Sequence, residues 1–196
     1  MRVAFKEWAV VVDALGAGQQ ILILRKGGIS EGRRGFQVEH AEFFLFPTFF
    51  HEQRDAILQS ARERYDAVHP SPPSPAVVQL NFFAHVVAWG RLDSLAAGER
   101  FQGQHILRNE VVAQRFQWGK EKNIYAMAVR VFRLAETVHL PLSPSYSGCK
   151  SWVDLEQEIP TDSATPVLSK EEFNARLDEF QAALASPDAE QKGPMP

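Results

Sequence analysis

Residues Gln19 to His51 read QQILILRKGGISEGRRGFQVEHAEFFLFPTFFH, and their pattern decides the fold. The stretch opens with Ile21-Leu22-Ile23-Leu24. This apolar run has no alternation, as in a strand covered on both faces. It meets Arg25-Lys26-Gly27-Gly28, and the composition of Gly27 to Gly35 predicts a loop. A second such run, Phe43-Phe44-Leu45-Phe46, is expected to stop at Pro47-Thr48. Two buried strands joined by a basic, glycine-rich connection place charge and bare backbone at the edge of a core. Loops held on rigid strands are common seats of function.

Working outward, Phe5, Trp8, Ala9, Val12 and Leu15 recur at helical spacing and predict a helix over Ala4 to Leu15, stopped by Gly16-Ala17-Gly18. A second helix is expected over His51 to Ala67. The prolines of residues 69–75 exclude helix and central strand, and form a connector within one domain. Ala76 to Trp89 and Ile124 to Leu134 read as strands. Asp93 to Arg100 reads as a short helix, and Asn109 is placed to cap another helix running to Gln117. Leu140 to Ile159 reads as irregular, pinned by Tyr146 and Trp152. Ser169 with Glu172 forms a capping box ahead of the stripe Phe173, Leu177, Phe180, Leu184. The sum is an α/β (α+β) chain: one domain over residues 1–185, a mixed sheet with helices packed on it, and a disordered tail over 186–196.

Several blocks resemble one family. FKEWAVVVDALGAGQQILILRKGGISE (5–31) and GFQVEHAEFFLFPTFFHEQ (35–53) are similar to the N-terminal signature of the bacterial and archaeal family called domain of unknown function 1802. HILRNEVVAQRFQW, AVRVFRL and YSGCKSWVDL resemble its later blocks, in the same order. The resemblance spans Val3 to Leu155 and implies no activity, cofactor or catalytic residue.

The 196 residues suffice for one substantial core, and 45% hydrophobic with 23% charged residues is ordinary for a soluble protein. A net charge of -3 argues against a non-specific nucleic-acid coater, but not against a local basic groove. Cys149 is the only cysteine, which excludes an internal disulfide and a multi-cysteine zinc site and fits a cytoplasmic protein. No apolar run approaches the roughly 20 residues of a membrane helix.

Arg25-Lys26-Gly27-Gly28 is the strongest feature, because glycines let a phosphate approach backbone amides beside two cations. Arg33 and Arg34 would add to such a pocket. Set against this is a solvated hairpin with surface cations, and no Walker spacing is present. Adjacent strand residues point to opposite faces, so Arg25 and Lys26 serve one site only if the strand end turns. Glu7, among apolar neighbours, is expected to pair with Arg25, Lys26 or Arg130 rather than stand as an acid with a raised pKa. His51 is a candidate acid or base, or a backbone hydrogen-bonding group. Arg115, Trp118 and Arg130 form a second set: stacking and anion binding, or a core tryptophan with bridging arginines. Core filling is the preferred reading of Trp118. Cys149 lacks a nucleophile's pattern, and the scattered histidines lack zinc spacing.

Two functions stand out. One is a binding module for nucleic acid or a phosphorylated ligand, with Arg25, Lys26, Gly27, Gly28, Arg33, Arg34, Arg115 and Arg130 as ligand-binding residues. The other is a metal-dependent phosphodiesterase or nuclease using Glu7, Glu39 or Glu42 with Lys26, and Glu7, Lys26 and His51 as catalytic candidates. Such nucleases place Asp/Glu-x-Lys on a core strand, and Glu190-Gln191-Lys192 in the tail is the lone match here, so the binding module ranks first.

Overall fold

Phe43-Phe44-Leu45-Phe46 lies inside strand β3 (Glu42–Thr48), and its side chains divide between two cores. Phe43 and Leu45 enter one hydrophobic cluster, Phe44 and Phe46 the other. A strand covered on both faces has no polar side, so its sequence need not alternate. The structure is a computed structural model that describes residues 1–26, 38–49, 53–68, 77–148, 150–185 and 189–192.

The elements are β1 (Val3–Trp8), α1 (Ala9–Gly16), β2 (Leu22–Arg25), β3, α2 (Gln59–Val68), β4 (Val77–Leu92), α3 (Leu95–Glu99), α4 (Asn109–Gln117), β5 (Ile124–Pro141), β6 (Trp152–Asp154), β7 (Thr165–Pro166), α5 (Lys170–Leu184) and β8 (Ala189–Lys192). The sheet runs β2-β5-β4-β3-β1-β6, with β7 beside β5 and β8 beside β4. β1 and β3 are parallel, whereas β2 with β5, β3 with β4, and β4 with β5 are antiparallel. This is one α/β domain with a mixed open sheet. Among the described residues no helix is long and apolar enough to cross a membrane.

The N-terminus corrects one expectation. Val3 to Trp8 is strand, and the helix begins only at Ala9. β1 sits between β3 and β6, with Ala4 in one cluster and Phe5 in the other. Burial on both faces removed the polar alternation that marks a strand, and the remaining apolar residues fell by chance on a helical stripe. β3 also passes through Pro47, paired with Glu7. β4 pairs with β3 only as far as Phe44, so proline's missing N–H faces a side without a ladder.

The second helix starts at Gln59, later than expected, because Ile57 bridges Leu107 and Gln53 to Ala56 form a turn. Inside that turn Gln53 is fully buried; its Oε1 accepts from Val10 N at 3.2 Å and its Nε2 donates to Thr48 O at 2.6 Å. One glutamine thereby holds the start of α1 to the end of β3. α4 begins at Asn109 with Arg108 in the cap position and no side-chain cap, one residue off the expected register. α5 has its full capping box and buries Phe173, Phe180, Ala183 and Leu184. Of the stretch after Ser186, Ala189–Lys192 is described and runs antiparallel to the Trp89–Leu92 end of β4.

Candidate functional site

β2 ends at Arg25, and the side chains there diverge. Arg25 donates from Nε and Nη2 to Ser151 Oγ at 3.1 and 2.8 Å, and its guanidinium lies 5.2 Å from the Phe5 ring. Lys26 turns the other way and donates to the carbonyls of Glu121 and Asn123, the latter at 2.8 Å. The two cations thus have separate duties.

β1 carries a buried carboxylate. Glu7 is 1% exposed and its Oε1 accepts from Trp8 N at 2.7 Å. Its cation is Arg115 on α4, at 3.7 Å, and not Arg25, Lys26 or Arg130. Arg115 also donates to Leu24 O at 2.5 Å and stacks 4.0 Å from the Trp8 ring. Burial pushes the Arg115 guanidinium down from its usual range; Glu7 opposes that shift and Arg25 adds to it. Glu7 Oε2 has no hydrogen-bond partner among the described residues. Chemically this is an anchor: it pins the last turn of α4 to β1 and β2 from within.

The pinned turn ends in exposed residues. Gln117 closes α4, Trp118 turns extended, and Gly119 takes φ 75, the left-handed conformation that favours glycine after a helix. Trp118 is 49% exposed, so it does not fill the core. A Cβ on Gly119 would sit 3.9 Å from Lys26 Cε, which puts the Lys26 stem beside this turn. Lys120 and Lys122 are exposed, and Lys122 Nζ donates to the carbonyls of Gln117 and Gly119. Burial pushes the Lys26 ammonium down from the usual lysine range, Glu121 raises it, and Lys122 lowers it further. Three lysines therefore share one surface with Trp118, against the Glu121 carboxylate, whose Oε2 accepts from Asn123 Nδ2 at 3.0 Å. The nearby Arg91 is paired with Asp93 at 2.9 Å and adds no net charge.

Arg130 lies elsewhere, 5.9 Å from the Phe132 ring and 5.1 Å from the Phe173 ring, where it bridges β5 and α5. Gly27, Gly28, Arg33, Arg34, His51 and Cys149 are outside the described residues. Glu42 pairs with His85 at 3.3 Å, away from Glu7 and Lys26. Among the described residues no three His, Cys, Asp or Glu side chains gather as metal ligands would. Lys120 and Lys122 were missed in the sequence. The signal was Trp118-Gly119-Lys120-Glu121-Lys122, a helix-stop glycine that exposes its neighbours, obscured by assigning the tryptophan to the core.

Comparison with known proteins places the chain. In solved structures it is similar to ASCH from Zymomonas mobilis, at 16% identity over 92% of this chain and 93% of that one, with a TM-score of 0.41. A serine-to-alanine mutant of that protein gives 15%, 90%, 94% and 0.42 in the same order. A tyrosine-to-phenylalanine mutant gives 17%, 90%, 96% and 0.39. No curated protein matches significantly. The sequence model of the family described as "Domain of unknown function (DUF1802)" matches residues 4–179, nearly the whole chain, and the protein belongs to that family.

Proposed function

We propose that this protein is a cytoplasmic binding module for phosphate-bearing ligands, nucleic acid foremost, working through the surface of Lys26, Trp118, Lys120 and Lys122. The observation that carries this reading is the grouping of three lysines beside a half-exposed tryptophan in a protein whose net charge is -3. A chain of net negative charge repels polyanions overall, so it binds them only where cations concentrate. Lys26 and Lys122 bond neutral carbonyls, which hold the ammonium groups in place without cancelling their charge. Each ammonium has three donors, so after two carbonyls one remains for a ligand oxygen. Lys120 engages no described residue through a hydrogen bond or ion pair.

Lys120→Gln tests this most cleanly, because it removes a charge and no observed contact. Binding of a fluorescein-labelled oligonucleotide at low salt should weaken several-fold with an unchanged melting temperature. Lys26→Ala should weaken binding too, with a loss of about 1 kcal/mol for its hydrogen bonds. Wild-type protein that binds neither oligonucleotide nor inorganic polyphosphate at low salt would refute the reading.

A further inference from the structure

Trp118 is the one tryptophan of four that is exposed; Trp8, Trp89 and Trp152 are half-buried. Its position is off the buried face of α4, which is set by Val112 and, half-buried one turn on, Phe116. The backbone at Trp118 is already extended, at φ -67 and ψ 142, so the helix does not carry the indole back to the core. Folding alone gives no reason for a large aromatic ring there, surrounded by lysines. We propose that this surface takes single-stranded nucleic acid, with a base stacked on the Trp118 indole and flanking phosphates on Lys120, Lys122 and Lys26. The proposal rests on the phosphate-binding reading above and narrows it to one ligand.

The chemistry distinguishes single strand from duplex. Every base has a π-face that an indole can cover, but in a duplex those faces are stacked on each other, whereas a single strand presents them. Duplex readers insert a helix or ribbon into a groove. Here α4 is not available for that, since Arg115 fastens its last turn to Leu24 O and Glu7. What projects is a tight turn: an aromatic ring followed by two lysines spaced one residue apart, with Lys26 alongside. Alternate cations beside an aromatic platform match a strand whose phosphates alternate with bases.

The test uses the full chain, with a labelled single strand of about twelve nucleotides, long enough for one binding site, and the duplex of the same sequence. Single strand should bind more tightly than duplex. Trp118→Ala should weaken it about ten-fold or more, the usual range for a lost base–aromatic stack. Trp118→Phe should retain most of the affinity, and the tryptophan emission quenched on binding in the wild type should be lost as a signal in that variant. Duplex binding as tightly as single strand, or Trp118→Ala binding like wild type with an intact melting curve, overturns the proposal. Should Lys120→Gln lower polyphosphate binding while Trp118→Ala leaves the oligonucleotide unaffected, the phosphate reading survives and this one falls. Should no phosphate-bearing probe bind, both fall.

Discussion

At the scale of single residues, the core holds polar groups as well as apolar ones. Arg115 reaches Glu7 and Leu24 O together, and removing it leaves a carboxylate buried without its cation. Arg115→Met is therefore expected to lower stability by about 3–5 kcal/mol, read by chemical denaturation, with the Glu7→Gln/Arg115→Met double variant recovering much of the loss. Equal stability of the single variant and wild type would mean the anchor is idle. Glu7 was expected to pair with Arg25, Lys26 or Arg130, and its cation is Arg115. The reason is physical: the pairing crosses from β1 to α4, and no local spacing encodes that distance. His105 makes a second prediction. Burial, aided by the Arg115 charge, lowers its pKa from 6.5 to about 4, and its Nδ1 accepts from Leu107 N at 3.2 Å, a bond that only a ring unprotonated at Nδ1 can make. The folded pKa lies below the unfolded one, so its contribution is fully present above pH 6.5 and is lost as pH falls toward 4. That loss amounts to about 3 kcal/mol. His105→Asn keeps an acceptor for Leu107 N–H and cannot titrate, so its stability should stay flatter across that window. The wild type's acid limb should be the steeper.

Elements were legible where their signals were one-sided. The capping box of Ser169 and Glu172 and the stripe behind it are both present in α5. Phe180 is fully buried there, 5.3 Å from the Phe101 ring, so Phe180→Ala should cost about 3–5 kcal/mol, measured as a shift in the denaturation midpoint. A midpoint unchanged by that variant would mean the helix is not docked. β1 was misread because both its faces are buried, and β3 outran Pro47 because its outer side has no partner at that point. In each case neighbours brought by the sheet, distant in sequence, overrode a valid local rule. β5 likewise runs on to Pro141, beyond an irregularity that holds exposed Ala135, Glu136 and Thr137, since β4 pairs again with Val138 to Pro141 through Leu80 to Val77.

At the scale of the molecule, the basic glycine-rich connection that stood out in the sequence leads to a surface built from two places. Lys26 comes from the end of β2, and Trp118, Lys120 and Lys122 from the turn after α4. They meet because β2 pairs with the start of β5, with Arg25 opposite Tyr125. Lys26 was readable as charge beside glycine, whereas Lys120, Lys122 and the exposure of Trp118 required knowing that α4 stops one residue before Trp118. The salt dependence of oligonucleotide binding tests this surface most directly. Each phosphate neutralised on a single strand contributes a slope of about -0.7 in log K against log salt, so three lysines predict about -2. The account predicts that a Lys26→Gln/Lys120→Gln/Lys122→Gln triple variant, still folded, loses most of that slope; a slope equal to that of the wild type would contradict it.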